Sequence, residues 1–119
     1  MSNQIYPSAV RSATFTGDDN RKVPGSWGAE VALNVTSVPG TDTVQLVVEG
    51  RDPASGQYYP ILSAAARAAV GMDVLTISPG VTAVANVSAA DVLPDTYRAR
   101  VVHSAGTPFT YSLSVTELG

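Results

Sequence analysis

Apolar and polar side chains alternate with a period of two in four separate runs, and an extended strand buried on one face is what produces that spacing. Val31, Leu33 and Val35 alternate with Glu30, Ala32, Asn34 and Thr36, and after a break Val44, Leu46 and Val48 alternate with Gln45, Val47 and Glu49. Further on, Tyr97, Ala99 and Val101 face one way while Arg98, Arg100 and Val102 face the other, which makes one side of that strand basic. Phe109, Tyr111, Leu113 and Val115 then alternate with Thr110, Ser112, Ser114 and Thr116. The chain is therefore expected to be built of strands.

The breaks between runs carry turn chemistry. Val38-Pro39-Gly40-Thr41-Asp42 combines a fixed φ at Pro with a residue that tolerates positive φ, so its two flanking strands form either a hairpin or a link across two sheets. Gly50-Arg51-Asp52-Pro53-Ala54-Ser55-Gly56 suits a tight turn into Gln57-Tyr58-Tyr59-Pro60-Ile61-Leu62. Pro60 cannot donate to a ladder, which predicts an edge strand or a bulge there. His103 to Pro108 is predicted to be a short hairpin loop. A strand around Asp73–Ser78 lies between Gly71 and the Pro79-Gly80 pair, and a weaker one runs from Val10 to Thr16. Residues 62–70 are alanine-rich and the most helix-prone stretch, so they read as a short helix or as a continuing strand. Residues 81–91 read as a connection crossing from one sheet to the other.

At 119 residues the chain has the size of one domain, and it contains no cysteine, so disulfides, thiolate zinc sites and thiol nucleophiles are excluded. Charged residues are only 14% of the total, against roughly 25% in ordinary soluble domains. Surfaces of that kind favour a life spent against a protein partner. The net charge is −3 and no run of Lys and Arg occurs, so nucleic-acid binding is not expected. No apolar run approaches the roughly 20 residues of a membrane span, and the N-terminus lacks the pattern of a signal peptide.

Reactive groups do not converge in the sequence. The single histidine, His103, has no neighbouring base or ligand and reads as structural. Gly17-Asp18-Asp19-Asn20 lacks the alternate spacing of a calcium loop and reads as a turn. No Gly-x-Ser-x-Gly elbow or phosphate-cradling glycine loop occurs. Neither an enzymatic activity, a cofactor nor a metal is expected. Trp27 and the consecutive Tyr58 and Tyr59, which point to opposite faces if extended, are candidates for interface or core. Trp27, Tyr58, Arg98 and Arg100 form the candidate interface set, and Pro53, Gly56, Pro79, Gly80 and Tyr97 the candidate fold determinants.

About seven short strands separated by turn signals predict an all-β sandwich, immunoglobulin- or fibronectin-like, with one short helix as an option. Leu93-Pro94-Asp95-Thr96-Tyr97 is similar to the tyrosine corner of such folds, in which the hydroxyl bonds back to nearby backbone. Residues 1–119 are taken as one domain, with 1–8 as an N-terminal arm.

The stretch from Thr43 to Tyr59, with Ile77-Ser78-Pro79-Gly80 and Leu93 to His103, resembles a group of small structural proteins of tailed bacteriophages. That group shows a Gly-Lys/Arg-Asp-Pro-x-Ser-Gly-x-Tyr-Tyr turn, an alanine-rich stretch, a Pro-Gly and a Leu-Pro-x-x-Trp/Tyr-Arg strand. The resemblance runs from about Thr43 to Val115 and brings no catalytic residues with it. It implies a virion protein of the head-decoration type, seated on the outer capsid after assembly in the host cytoplasm. The major capsid protein would be its partner, together with further copies of itself, possible as a trimer. The alternative is a cell-surface or carbohydrate-binding module of a tail or fibre.

Overall fold

The computed structural model describes residues 3–118. Ten strands follow in chain order: β1 (Asn3–Arg11), β2 (Phe15–Thr16), β3 (Asn20–Arg21), β4 (Gly28–Ser37), β5 (Val44–Arg51), β6 (Tyr58–Ser63), β7 (Gly71–Ile77), β8 (Ser88–Ala89), β9 (Thr96–His103) and β10 (Phe109–Leu118). They pack as a sandwich of two five-strand sheets. The front sheet has the order β1-β10-β4-β7-β8, and the back sheet runs β2-β9-β5-β6, with β3 also on β9. All pairings are antiparallel except β7 with β8.

The alternating runs became β4, β5, β9 and β10, and their apolar sides face one another. Val31, Leu33, Val44, Leu46, Val101, Phe109 and Tyr111 are completely buried or within one per cent of it. Burial on that scale supplies the driving force, at roughly 1.5–3 kcal/mol for each large side chain.

Several expectations are corrected. There are ten strands, not about seven, because β2, β3 and β8 are two residues each, too short to leave an alternating pattern. No helix occurs among the described residues. From Ala64 on, the chain stays pinned to β5: Ala64 N–H donates to Leu46 (2.8 Å), Arg67 N–H to the carbonyl of Val44 (2.8 Å), and Val44 N–H returns to Arg67 (3.0 Å). These tertiary bonds outweigh alanine's weak intrinsic preference. The link between β9 and β10 is not a hairpin loop but an arch from the back sheet to the front one. Tyr97 does not return its hydroxyl to local backbone; it donates to the Glu117 carboxylate on the opposite sheet at 2.6 Å. The N-terminal arm is, from Asn3 onward, strand β1 paired along β10, while Met1 and Ser2 lie outside the described residues.

β4 and β5 lie in different sheets, so Pro39-Gly40 joins strands across the sandwich. β6 is an edge strand, and its register slips between Val48 and Glu49, opposite Leu62 and Pro60, so Pro60 sits at both an edge and a bulge. Residues 81–91 stay with the front sheet long enough to form β8, and the chain then crosses to β9.

Candidate interaction surfaces

The two outer faces of the sandwich are chemical opposites. On the front, the register lines up Ile5, Ser114, Ala32 and Val74 across four strands. A second row holds Ser112, Asn34 and Met72, and a third Thr116, Glu30 and Thr76. Ile5 is 72% exposed, Val10 67% and Met72 56%, so apolar area lies open among hydroxyls. Glu30 is the one charge in these rows.

The back face gathers the charge. Glu49 stands on the outward side of β5 beside Arg98, its register partner on β9. Arg98 Nε donates to Glu49 Oε1 at 2.8 Å, and Arg100 Nη1 donates to Oε2 at 3.2 Å. The carboxylate is only 8% exposed as a residue, and both of its oxygens are occupied by arginines. Tyr58, on β6, lies under Arg98 with the guanidinium carbon 3.5 Å from its ring centroid. Its hydroxyl donates to Asp19, and that bond raises its pKa above the usual phenol range. Arg51, exposed and opposite Tyr58 in the ladder, completes the group. Two arginines thus share the one carboxylate of Glu49, while Asp19 holds the Tyr58 hydroxyl. Arg100 Nε is buried without an acceptor.

Of the four candidate interface residues, Tyr58, Arg98 and Arg100 meet at this place. Trp27 does not. It sits at the mouth of β4, 51% exposed, where its backbone bridges Leu118 and Leu93 at 3.0 and 2.8 Å. Sequence reasoning missed Glu49 and Asp19 as partners, since the β5–β9 register that brings Glu49 to the arginines has no local signature.

The remaining candidates lie in turns, apart from the buried Tyr97. Pro53 and Gly56 lie in the β5–β6 turn, where Gly56 has φ +76° and donates to the Asp52 carbonyl at 2.7 Å. Asp52 accepts from Ser55 Oγ (2.7 Å) and from Ala54 N–H (3.1 Å), which lowers its pKa. Pro79 and Gly80 turn the chain after β7, with Val81 N–H on the Ser78 carbonyl at 3.4 Å. Tyr59 is 44% exposed and lies over Gly50, whose missing Cβ would stand 2.7 Å from the ring. Beside it is a shallow hollow of about 300 Å³ lined by Tyr59, Pro60, Ile61, Asp91, Val92 and Pro94. One aromatic side chain makes a poor platform for a sugar.

His103 is tied inward. Its Nε2 lies 2.8 Å from the Tyr111 hydroxyl and its ring meets Phe109 edge-on at 5.6 Å. Burial, then the Arg11 charge, lowers its pKa, and burial pushes Tyr111 up to about 12. No group of three or more His, Cys, Asp or Glu positioned to hold a metal occurs among the described residues.

The edges at β1 and β6 and the open start of β7 are guarded. β1 carries Pro7 within a register shift between Tyr6 and Ala9, and β6 carries Pro60 at its own shift. The free start of β7 turns Asp73 to the inner side opposite Leu33, where Arg67 grips it with bonds of 2.8 and 2.9 Å. Prolines, bulges and inward charges are the devices that stop strands adding to an edge.

No protein-family model matches the chain, and no curated protein is detectably similar to it in sequence.

Proposed function

We propose that this chain is a structural protein of a tailed-bacteriophage particle, a decoration protein that lies on the outside of the major capsid shell through its front sheet. The observation that carries the proposal is the front face itself: nearly uncharged, with Ile5, Val10 and Met72 open to solvent among hydroxyls. Four strands at roughly 4.8 Å spacing and seven residues at roughly 3.3 Å make a patch of roughly 440 Å². Covering it would remove roughly 900 Å² from water counting both partners, just under the roughly 1,000 Å² of a specific stable interface. A single such contact is modest. Repetition over a symmetric shell, or within a homo-oligomer such as a trimer, makes each later contact effectively intramolecular and the whole attachment firm.

The resemblance between Thr43 and Val115 supports the same reading and supplies the particle as the setting. Within that reading the fold is an immunoglobulin-like variant. The β4–β7 and β5–β9 pairs stand where such folds have their central pairs, while β10 has left the neighbourhood of β9 for a place between β1 and β4.

Co-sedimentation with purified shells lacking this protein tests the proposal. The wild-type chain is expected to pellet with the shells, and the double variant Ala32→Arg with Ser114→Arg, folded by circular dichroism, is expected to stay in solution. Failure of the wild type to bind, or equal binding by the variant, would overturn it.

A further inference from the structure

We infer that the back face is a recognition site for an acidic peptide segment of a protein partner, with Arg98 and Arg100 as its contact residues and Arg51 at its rim. The inference does not depend on decoration of a shell, since it concerns the opposite face and a different chemistry.

The charge balance is local. Arg67 is matched by Asp73, Arg21 by Asp95, and Arg11 is spent on the carbonyls of Pro7, Ala9 and Tyr111. At Glu49 the match fails: one carboxylate serves two guanidinium groups, each through a single nitrogen. Among the described residues the other terminal nitrogens of Arg98 and Arg100 have no acceptor, and Arg51 makes no ion pair. Even counting Asp19 on the Tyr58 hydroxyl, Arg51, Arg98 and Arg100 outnumber Glu49 and Asp19 by one, so a chain of net charge −3 carries a small cationic surplus at this spot. Guanidinium groups held in place bind carboxylates through paired N–H donors at less entropic cost than free ones. Tyr58 stacked on Arg98 provides that fixing, while Glu49 occupies one donor of each arginine. The side chains of Arg98 and Arg100 remain 21% and 30% exposed, so the surplus is reachable from solution. A carboxylate segment matches it with two or more acidic groups in a row, one for each arginine.

The test is an NMR titration of the labelled full chain with blocked hexaglutamate at low salt, against hexalysine and inorganic phosphate. Hexaglutamate is expected to shift amides of β5, β6 and β9, and hexalysine to shift none. Arg100→Gln is expected to weaken binding by about tenfold, as loss of a charge-assisted pair does, and Arg51→Gln by about twofold. Glu49→Gln gives the sharper reading. It removes the internal competitor, so it is expected to tighten hexaglutamate binding by roughly threefold to tenfold, whereas a merely structural salt bridge predicts no gain. Circular dichroism confirms that each variant is folded before titration. Absence of shifts with hexaglutamate, no gain in Glu49→Gln, or equal shifts with phosphate alone would overturn the inference. So would concentration-dependent self-association that Arg100→Gln abolishes, because a second copy would then be the occupant.

Discussion

Glu117 is a carboxylate buried to 1% exposure that makes no ion pair among the described residues. Two donors replace its water: the Tyr97 hydroxyl at 2.6 Å and the backbone N–H of Val23 at 2.8 Å. Tyr97 is held protonated by burial and by this bond, with its pKa well above the phenol range. Tyr97→Phe leaves one oxygen of a buried charge unpaired, so urea unfolding is expected to lose about 1.5–3 kcal/mol, the range for hydrogen bonds to charged groups. At the other end of β9, His103 faces Arg11 from β1 and Tyr111 and Phe109 from β10. Its folded pKa lies below the ordinary value of 6.5. Below pH 6.5 the unfolded chain therefore binds a proton that the folded chain refuses. Stability is fully present above that pH and falls as acid is added, until the lowered folded pKa is reached. His103→Gln is expected to flatten this part of the pH–stability curve, measured by thermal unfolding between pH 7 and pH 5.

At the scale of the element, the long strands were legible and the connections between them less so. Val31, Leu33 and Val35 show their inward side directly, as do Phe109 to Val115, because a buried face leaves its period in the sequence. Pro39-Gly40 and Gly106-Pro108 mark a change of direction, but the same breaker residues serve a hairpin and an arch. The choice is made by which strands pair, through contacts far along the chain: β10 joins β4 and β1. Tyr58, Arg98 and Arg100 could be picked out as candidates from residue type, yet Glu49 became their partner only through the β5–β9 register. Two turn and edge features carry predictions. Gly56→Ala places a side chain at φ +76°, which is expected to cost about 1–2 kcal/mol in unfolding experiments. Pro60→Val restores a backbone donor on the β6 edge. Its expected result is association at high protein concentration, seen as a larger mass by light scattering, where the wild type gives none through that edge.

For the whole molecule, the separation of charge between faces has a consequence that salt exposes. The proposed binding through the front face would rest on apolar area and hydroxyl contacts, which ions do not screen. Binding through the back face rests on guanidinium charge at the surface, where screening is strong once the Debye length falls from about 30 Å at 0.01 M to about 3 Å at 1 M. Raising salt across that range is expected to leave shell co-sedimentation within about twofold, because apolar burial is steady or slightly strengthened by excluded salts. Hexaglutamate binding over the same range is expected to fall by about tenfold or more, as exposed ion pairs lose their attraction. The two readouts are made on one protein in one buffer series, so a general effect of salt on folding would move both together. A shell contact that weakened in step with the peptide would mean that the arginine face, and not the uncharged one, meets the capsid. The two-faced division of labour would then be reversed: the bland sheet would be the side turned to solution.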